Sequence, residues 1–309
     1  MLSGAAALLA LLGRSAAAPP HIIFSLVDDL GSYNVGWRNA NATSPNIDRL
    51  ARGGTLLDFT DSDEQAAGAE RHEETLARHG GPAAGEAAMV AAGGSTPTAA
   101  VLARLDDWDC AELFQCMPID ELAKVAEALF YRAGLVQSLG LSADSLRGFI
   151  SGVAERYEDN PYHNFGHALC VFHGCFLALT MSRLKRYVSD LEAFALLIAA
   201  LCHDVGHDGM SNAFHVNTLS PRALRYSDFS VQEMHHCEQM ATLALCRGSN
   251  YAAGLSPQAQ RDVRKLVIAL ILSTEMGAHM KSVSALSNLE SDDFSTPEVK
   301  LLLLSATLQ

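Results

Sequence analysis

Basic residues are in short supply in this 309-residue chain: 22 Lys and Arg stand against 35 Asp and Glu, a formal net charge of −13. Nucleic-acid phosphates are neutralised by clustered Lys and Arg, and no basic stripe is present, so a nucleic-acid polymer is excluded as a partner. No apolar run reaches the roughly 20 residues that a transmembrane helix needs, which excludes a helical membrane span. There is also no CxxC pair. The seven cysteines (Cys110, Cys116, Cys170, Cys175, Cys202, Cys237 and Cys246) lie in apolar, helix-like text. That placement fits reduced core residues of an intracellular domain and excludes a disulfide framework. Beyond residue 100 no stretch alternates with period two for long enough to form a strand.

Four zones remain. Residues 1–18 (MLSGAAALLALLGRSAAA) read as a signal-peptide-like segment, with a short apolar region and a small-residue stretch before Pro19 and Pro20 but no positive start. Residues 19–60 read as strand, loop and helix: HIIFSLV is β-branched and apolar, Asp28 and Asp29 close it, and Pro45 to Ala51 has a helical pattern. This is the opening of a small α/β fragment. Residues 61–100 contain no Ile, Phe, Trp, Tyr or Cys. Such a stretch buries too little apolar surface to offset its ordering entropy, and we read it as a disordered or loosely helical linker.

Residues 101–309 read as a mainly α domain. Apolar residues recur three and four apart over Ile119 to Val136, Leu146 to Tyr157, Ala168 to Met181, Leu191 to Cys202, Val231 to Leu245, Val263 to Leu272 and Val299 to Leu304. Ser220-Pro221, Ser256-Pro257 and Thr296-Pro297 each set a capping side chain before a proline suited to the first helical turn.

Within that domain, LCHDVGHDGMSN (Leu201 to Asn212) places His203, Asp204 and His207 just after an apolar helix. His163 and His167 are four apart, so their imidazoles project to one side of a helix or helical entry. Imidazoles with a carboxylate suit zinc or a similar divalent ion, and the carboxylate can reach on to a harder ion such as magnesium. Two such ions clamp the oxygens of a phosphodiester and hold a hydroxide for in-line attack, while a nearby histidine protonates the leaving alkoxide. Glu233, followed by His235 and His236, is placed to orient ligands or waters. A lone His on an apolar helix is more often a satisfied core residue, and His173 and His279 are read that way.

The joint pattern of YHNFGHA, ALCHDVGHDGMSNAFHVNT, LSPRALRYSDFSVQEMHH and LILSTEMGAHM resembles the catalytic domain of the class I 3',5'-cyclic nucleotide phosphodiesterases. The resemblance implies a multi-helix, HD-type fold and hydrolysis of cAMP or cGMP to the 5'-monophosphate, with two divalent ions, Zn2+ and Mg2+ (or Mn2+). It implies that His163 is the general acid and that His167, His203 and Asp204 ligate the first metal. His207, Glu233 and Thr274 then surround the second metal's waters, and Tyr162, Asn212 and Met276 line the substrate pocket. Gly206 and Glu275 stand where the family often has Asp. The family continues past an LLLL-type helix to an HxxD segment with a further ligand, then to the purine-binding glutamine and aromatic. This sequence ends at Gln309, which implies a catalytic domain lacking its C-terminal helices, no purine clamp, and uncovered helix faces that favour self-association.

The N-terminal text PPHIIFSLVDDLGSYNVGW and TSPNIDRLARGGTLLDF resembles the start of the sulfatase family, in which Asp28 and Asp29 match a calcium-binding pair. The sulfatase nucleophile motif CxPxR or SxPxR is absent, so that pair is vestigial in this reading. The leading expectation is a metal-dependent cyclic nucleotide phosphodiesterase. The alternative is a catalytically incomplete, phosphodiesterase-like regulatory or binding module, and a sulfatase-type hydrolase ranks below both. The reduced helical zone points to the cytoplasm, and the signal-like segment gives the secretory path as the alternative.

Overall fold

The computed structural model describes residues 81–106, 111–181, 183–277, 285 and 296–308. The signal-like segment, the sulfatase-like fragment with Asp28 and Asp29, residues 61–80 of the linker and His279 lie outside the described residues. Among those described there are helices and no strand. In order they are α1 (Gly81–Ala91), α2 (Ala99–Leu102), α3 (Ala111–Gln115), α4 (Ile119–Arg132), α5 (Leu135–Leu139), α6 (Ala143–Ala154) and α7 (Phe165–Met181). After a 3-10 turn at Arg183–Arg186 come α8 (Asp190–Cys202), α9 (Asn212–Asn217), α10 (Pro221–Tyr226), α11 (Val231–Ala244), α12 (Pro257–Ser273) and α13 (Pro297–Leu308). No helix among the described residues is long and apolar enough to cross a membrane.

The core is organised around α8. Its sequence DLEAFALLIAALC is apolar on every side, and Ala193 to Cys202 are all buried, as expected for a helix enclosed by others. It lies between α7 and α12. The Ser189 hydroxyl accepts from Glu192 N–H while the Glu192 carboxylate accepts from Ser189 N–H, a reciprocal cap that fixes where α8 starts. Phe130 of α4 meets Phe172 of α7 and Phe194 of α8 edge-on, at centroid separations of 5.1 and 5.8 Å. Such pairs add about 0.5–1.5 kcal/mol each beyond the area they bury.

The proline starts behave as their sequences predict. Ser220, Ser256 and Thr296 accept from the N–H of Ala223, Ala259 and Val299 respectively. One expectation needs correction. The helical pattern of Ile119 to Val136 is not one helix: Gly134, at φ 71°, ends α4 in a left-handed residue and starts the short α5. Within the stretch read as a disordered or loosely helical linker, α1 forms a helix that packs along α4. Small residues, which lowered its apparent capacity to bury surface, are what let it approach: a Cβ on Gly85 would stand 2.9 Å from the Tyr131 carbonyl oxygen. Met89 is fully buried, and Glu86 accepts from Arg132 Nη2 at 2.6 Å.

Candidate metal centre

The C-terminal end of α8 delivers the site. His203 is its C-cap, and its Nδ1–H donates to the Ala200 carbonyl at 2.9 Å, which fixes the ring orientation and leaves Nε2 turned toward Asp204 and His167. Asp204 follows in a turn held by Tyr157, whose hydroxyl donates to Leu201 O at 3.1 Å and accepts from Asp204 N–H at 3.3 Å. Gly206 continues the turn at φ 75°, a left-handed conformation that suits glycine. Helix α7 supplies the opposite wall. The Asn164 side-chain oxygen Oδ1 accepts from His167 N–H at 3.0 Å and so caps its first turn, directing His167 at His203.

His167 Nε2 and His203 Nε2 lie 3.3 Å apart, and Asp204 Oδ2 lies 3.1 Å from His203 Nε2 and 3.5 Å from His167 Nε2. A tetrahedral ion with bonds of about 2.0–2.1 Å separates its ligand atoms by about 3.3 Å, so these three donors fit one face of such a shell. All three side chains are buried, and Asp204 Oδ2 has no hydrogen-bond donor. Burial and the facing His203 push the His167 pKa down to about 3, so its ring is neutral at pH 7 and offers a lone pair. Burial works to raise the Asp204 carboxyl, but the imidazoles of His203 and His167 hold it well below the usual carboxylate range. A buried carboxylate facing the imidazoles of His167 and His203 is a donor set that fits a divalent cation.

The remaining predicted residues divide into those the fold gathers and those it does not. His163 stacks on His207 with centroids 4.0 Å apart, and Tyr162 tilts against His167 at 4.5 Å. Asn160 ties this group together, donating from Nδ2 to the backbone carbonyls of His207 at 2.7 Å and His163 at 3.2 Å. His207 Nδ1 accepts from Gly209 N–H at 2.9 Å. Glu233 accepts from Asn212 Nδ2 at 2.9 Å, and burial raises its carboxyl. Asn212, expected to line the substrate pocket, is thereby tied to Glu233. Thr274 spends its hydroxyl on the Ile271 carbonyl at 2.7 Å, and Met276 is 52% exposed. Neighbouring Glu275 is joined to the start of α11 by accepting from the Ser230 hydroxyl at 2.8 Å.

The sequence reading gave the histidines beside Glu233 an orienting role and left Tyr157 and Asn160 without one. His236 donates Nδ1–H to Val205 O at 2.9 Å and brings Nε2 to 3.8 Å from Asp204 Oδ1, with only 1% of its surface exposed. Tyr157 and Asn160 gave no signal, since the bonds that tie them to the Asp204 turn reach backbone carbonyls more than 40 residues away. His173 is the satisfied core histidine expected, its Nε2 on Leu105 O at 2.8 Å.

Residues 162–308 match the family model described as 3'5'-cyclic nucleotide phosphodiesterase. A mouse protein named high affinity cGMP-specific 3',5'-cyclic phosphodiesterase 9A is 29% identical over 197 residues, which is 63% of this chain and 35% of that protein. A cGMP-specific 3',5'-cyclic phosphodiesterase of Drosophila melanogaster is 35% identical over 166 residues, 54% of this chain and 15% of that protein. The chain thus spans about a third or less of the length of these relatives. The crystal structure of the phosphodiesterase domain of a rhodopsin fusion protein from the choanoflagellate Salpingoeca rosetta aligns with a TM-score of 0.63 at 30% identity, covering 66% of this chain and 65% of that one.

Proposed function

From a helical domain whose residues 162–308 carry the class I 3',5'-cyclic nucleotide phosphodiesterase pattern, we propose that this protein hydrolyses a 3',5'-cyclic nucleotide to the 5'-monophosphate. The observation that carries the proposal is the buried triangle of His167 Nε2, His203 Nε2 and Asp204 Oδ2, each edge 3.1–3.5 Å, with Oδ2 lacking a donor. An unpaired buried carboxylate oxygen is costly unless a cation completes it. When bound there, a divalent ion with a second one beside it polarises the phosphoryl group and makes water nucleophilic at neutral pH.

The chain's own groups do the rest. His163 holds the proton for the departing O3', and its stacking on His207 together with the Asn160 brace keeps its ring at the mouth of the site. His203 and His236 keep their Nε2 atoms aimed inward because their Nδ1–H groups are committed to backbone carbonyls. Glu233 and His207 border the cleft beside Asp204 and orient water or a second ion. Tyr162 offers an aromatic face at the entrance. The names of the relatives favour cGMP as the first substrate to test, with Zn2+ and Mg2+ (or Mn2+) as the ions.

The test is turnover of cGMP and cAMP by the purified full chain, with the 5'-monophosphate resolved by chromatography. His203→Ala is expected to abolish turnover. Unchanged turnover in that variant contradicts the ligand assignment. A folded wild-type chain inactive on both nucleotides with zinc, magnesium or manganese added leaves the reading of a non-catalytic, phosphodiesterase-like module.

A further inference from the structure

Asp208 directly follows His207, and Gln232 directly precedes Glu233. These two flanking side chains are bonded to each other: Gln232 Nε2 donates to Asp208 Oδ1 at 2.9 Å and to Met210 O at 2.7 Å. Arg222 of α10 joins them from a third element. Its Nη1 donates to Gln232 Oε1 at 2.7 Å and stands 3.3 Å from Asp208 Oδ2, while Nη2 donates to Gly206 O at 2.9 Å. His215 of α9 adds a fourth arm, with Nε2 3.3 Å from Asp208 Oδ1. A carboxylate only accepts, so this ring carries its proton on Nε2 and its Nδ1 accepts from the Ser220 hydroxyl at 2.8 Å. Met210 N–H completes the set on Asp208 Oδ1 at 3.2 Å.

The segment so tied is a strained one. Leu219, Ser227, Asp228 and Ser230 all have φ between 39° and 64°, and they are the only non-glycine residues with positive φ among those described. Left-handed L-residues persist only where surrounding bonds over-determine them. The short helices α9 and α10 bury little besides His215 and Ala223, and the polar hub joins the bonds of Ser230 to Glu275 and of Asp228 N–H to Ala223 O in holding the segment.

We propose that Asp208 and Arg222 are positioning residues: with Gln232 they form a strut that fixes His207 and Glu233 relative to each other across the cleft. The proposal rests on the phosphodiesterase reading of that cleft. The strut holds each group by its immediate chain neighbour, and Arg222 also anchors the Gly206 carbonyl, one residue before His207. Turn and helix therefore move as one body. Neutralising Asp208 removes the charge partner of Arg222 and weakens three further bonds without touching His207 or Glu233 themselves.

The test compares the full wild-type chain with Asp208→Asn, Arg222→Lys and a control, Arg225→Ala, whose side chain faces Glu238 on the surface of the same helix. Three quantities are read: kcat and KM for cGMP, the thermal midpoint, and the imidazole 15N resonances of His207 in metal-free protein. Asp208→Asn is expected to lower kcat about tenfold or more, the usual scale for groups that orient a metal site from behind. KM changes far less, and the His207 resonances shift. Arg225→Ala matches wild type in all three.

Should Asp208→Asn not fold, Arg222→Lys, which keeps the charge but loses the two-pronged contact, carries the same comparison. Unchanged kcat and unchanged His207 resonances in folded variants overturn the proposal. So does a fall in kcat that only tracks the folded fraction while the resonances stay in place, since that describes a structural brace. If wild type turns over neither cGMP nor cAMP, the phosphodiesterase reading fails separately. The His207 resonances then decide alone: a shift supports the strut and its absence refutes it.

Discussion

Replacing Tyr157 with Phe removes one oxygen atom and probes how the core of the fold reaches the site. The ring stays, so its contact with Phe165, at a centroid distance of 5.7 Å, is retained. Two bonds go: the one the hydroxyl donates to Leu201 O at 3.1 Å and the one it accepts from Asp204 N–H at 3.3 Å. Each neutral bond of this kind contributes about 1 kcal/mol net, and a buried group left without its partner costs about 1–3 kcal/mol. The second bond is long, so the sum is set at about 2–3 kcal/mol. For a domain of this size each kcal/mol moves the thermal midpoint by about 2–4 °C, which predicts a fall of about 4–12 °C by scanning calorimetry. Because the lost bond anchors the backbone of Asp204, zinc affinity by titration calorimetry should weaken by roughly tenfold in the same protein. A midpoint within about 1 °C of wild type with unchanged zinc affinity refutes the claim that Tyr157 holds the Asp204 turn.

Three further outcomes follow from particular contacts. Gly85→Val puts side-chain atoms where a Cβ alone would stand 2.9 Å from Tyr131 O, and it should detach α1 from α4. Protease cleavage between residues 81 and 106 should rise sharply while the helices around α8 stay protected; equal resistance to cleavage argues against docking of α1. Burial works to raise the Glu192 carboxyl, but the bonds from Ser189 and the Lys300 ammonium outweigh it and hold it below the usual range. A lowered carboxyl stabilises the fold above its unfolded pKa of about 4.3, and that stability is lost as pH falls through the folded value. The thermal-midpoint gap between wild type and Glu192→Gln should therefore be full at pH 7 and close below pH 4, and a pH-independent gap counts against the ionic cap. Asn160→Ala frees the carbonyls of His163 and His207 and should lower kcat by roughly tenfold with a small change in KM; unchanged kcat would remove Asn160 from the account.

Much of this arrangement was legible in the sequence. Period-3.6 patterning located the long helices, and Ser220, Ser256 and Thr296 marked three starts through a local chemistry that needs no tertiary knowledge. His167, His203 and Asp204 could be grouped because spacing within HxxxH and HD is a local property too. What the pattern did not reveal depends on distant partners. Tyr157 serves a turn 44 residues on, and Asp208 meets Gln232 across 24 residues. Helix α1 was read as linker because burial was judged from large side chains, whereas it docks through Gly85 and one Met. The bonds of the Asn212 amide to Glu233 and from Gln232 N–H, about 20 residues away, were likewise outside what the local pattern could reveal.

The central claim is that His167, His203 and Asp204 together hold a divalent ion. The most direct measurement is zinc bound per chain after gel filtration, on the full protein purified through chelator and reloaded with zinc, for wild type and His203→Ala. The account predicts zinc retained by wild type and lost from the folded variant, with His173→Ala, a core histidine outside the cluster, retaining it if folded. Folded wild-type protein that keeps no zinc, or a His203→Ala variant that keeps as much as wild type, contradicts it.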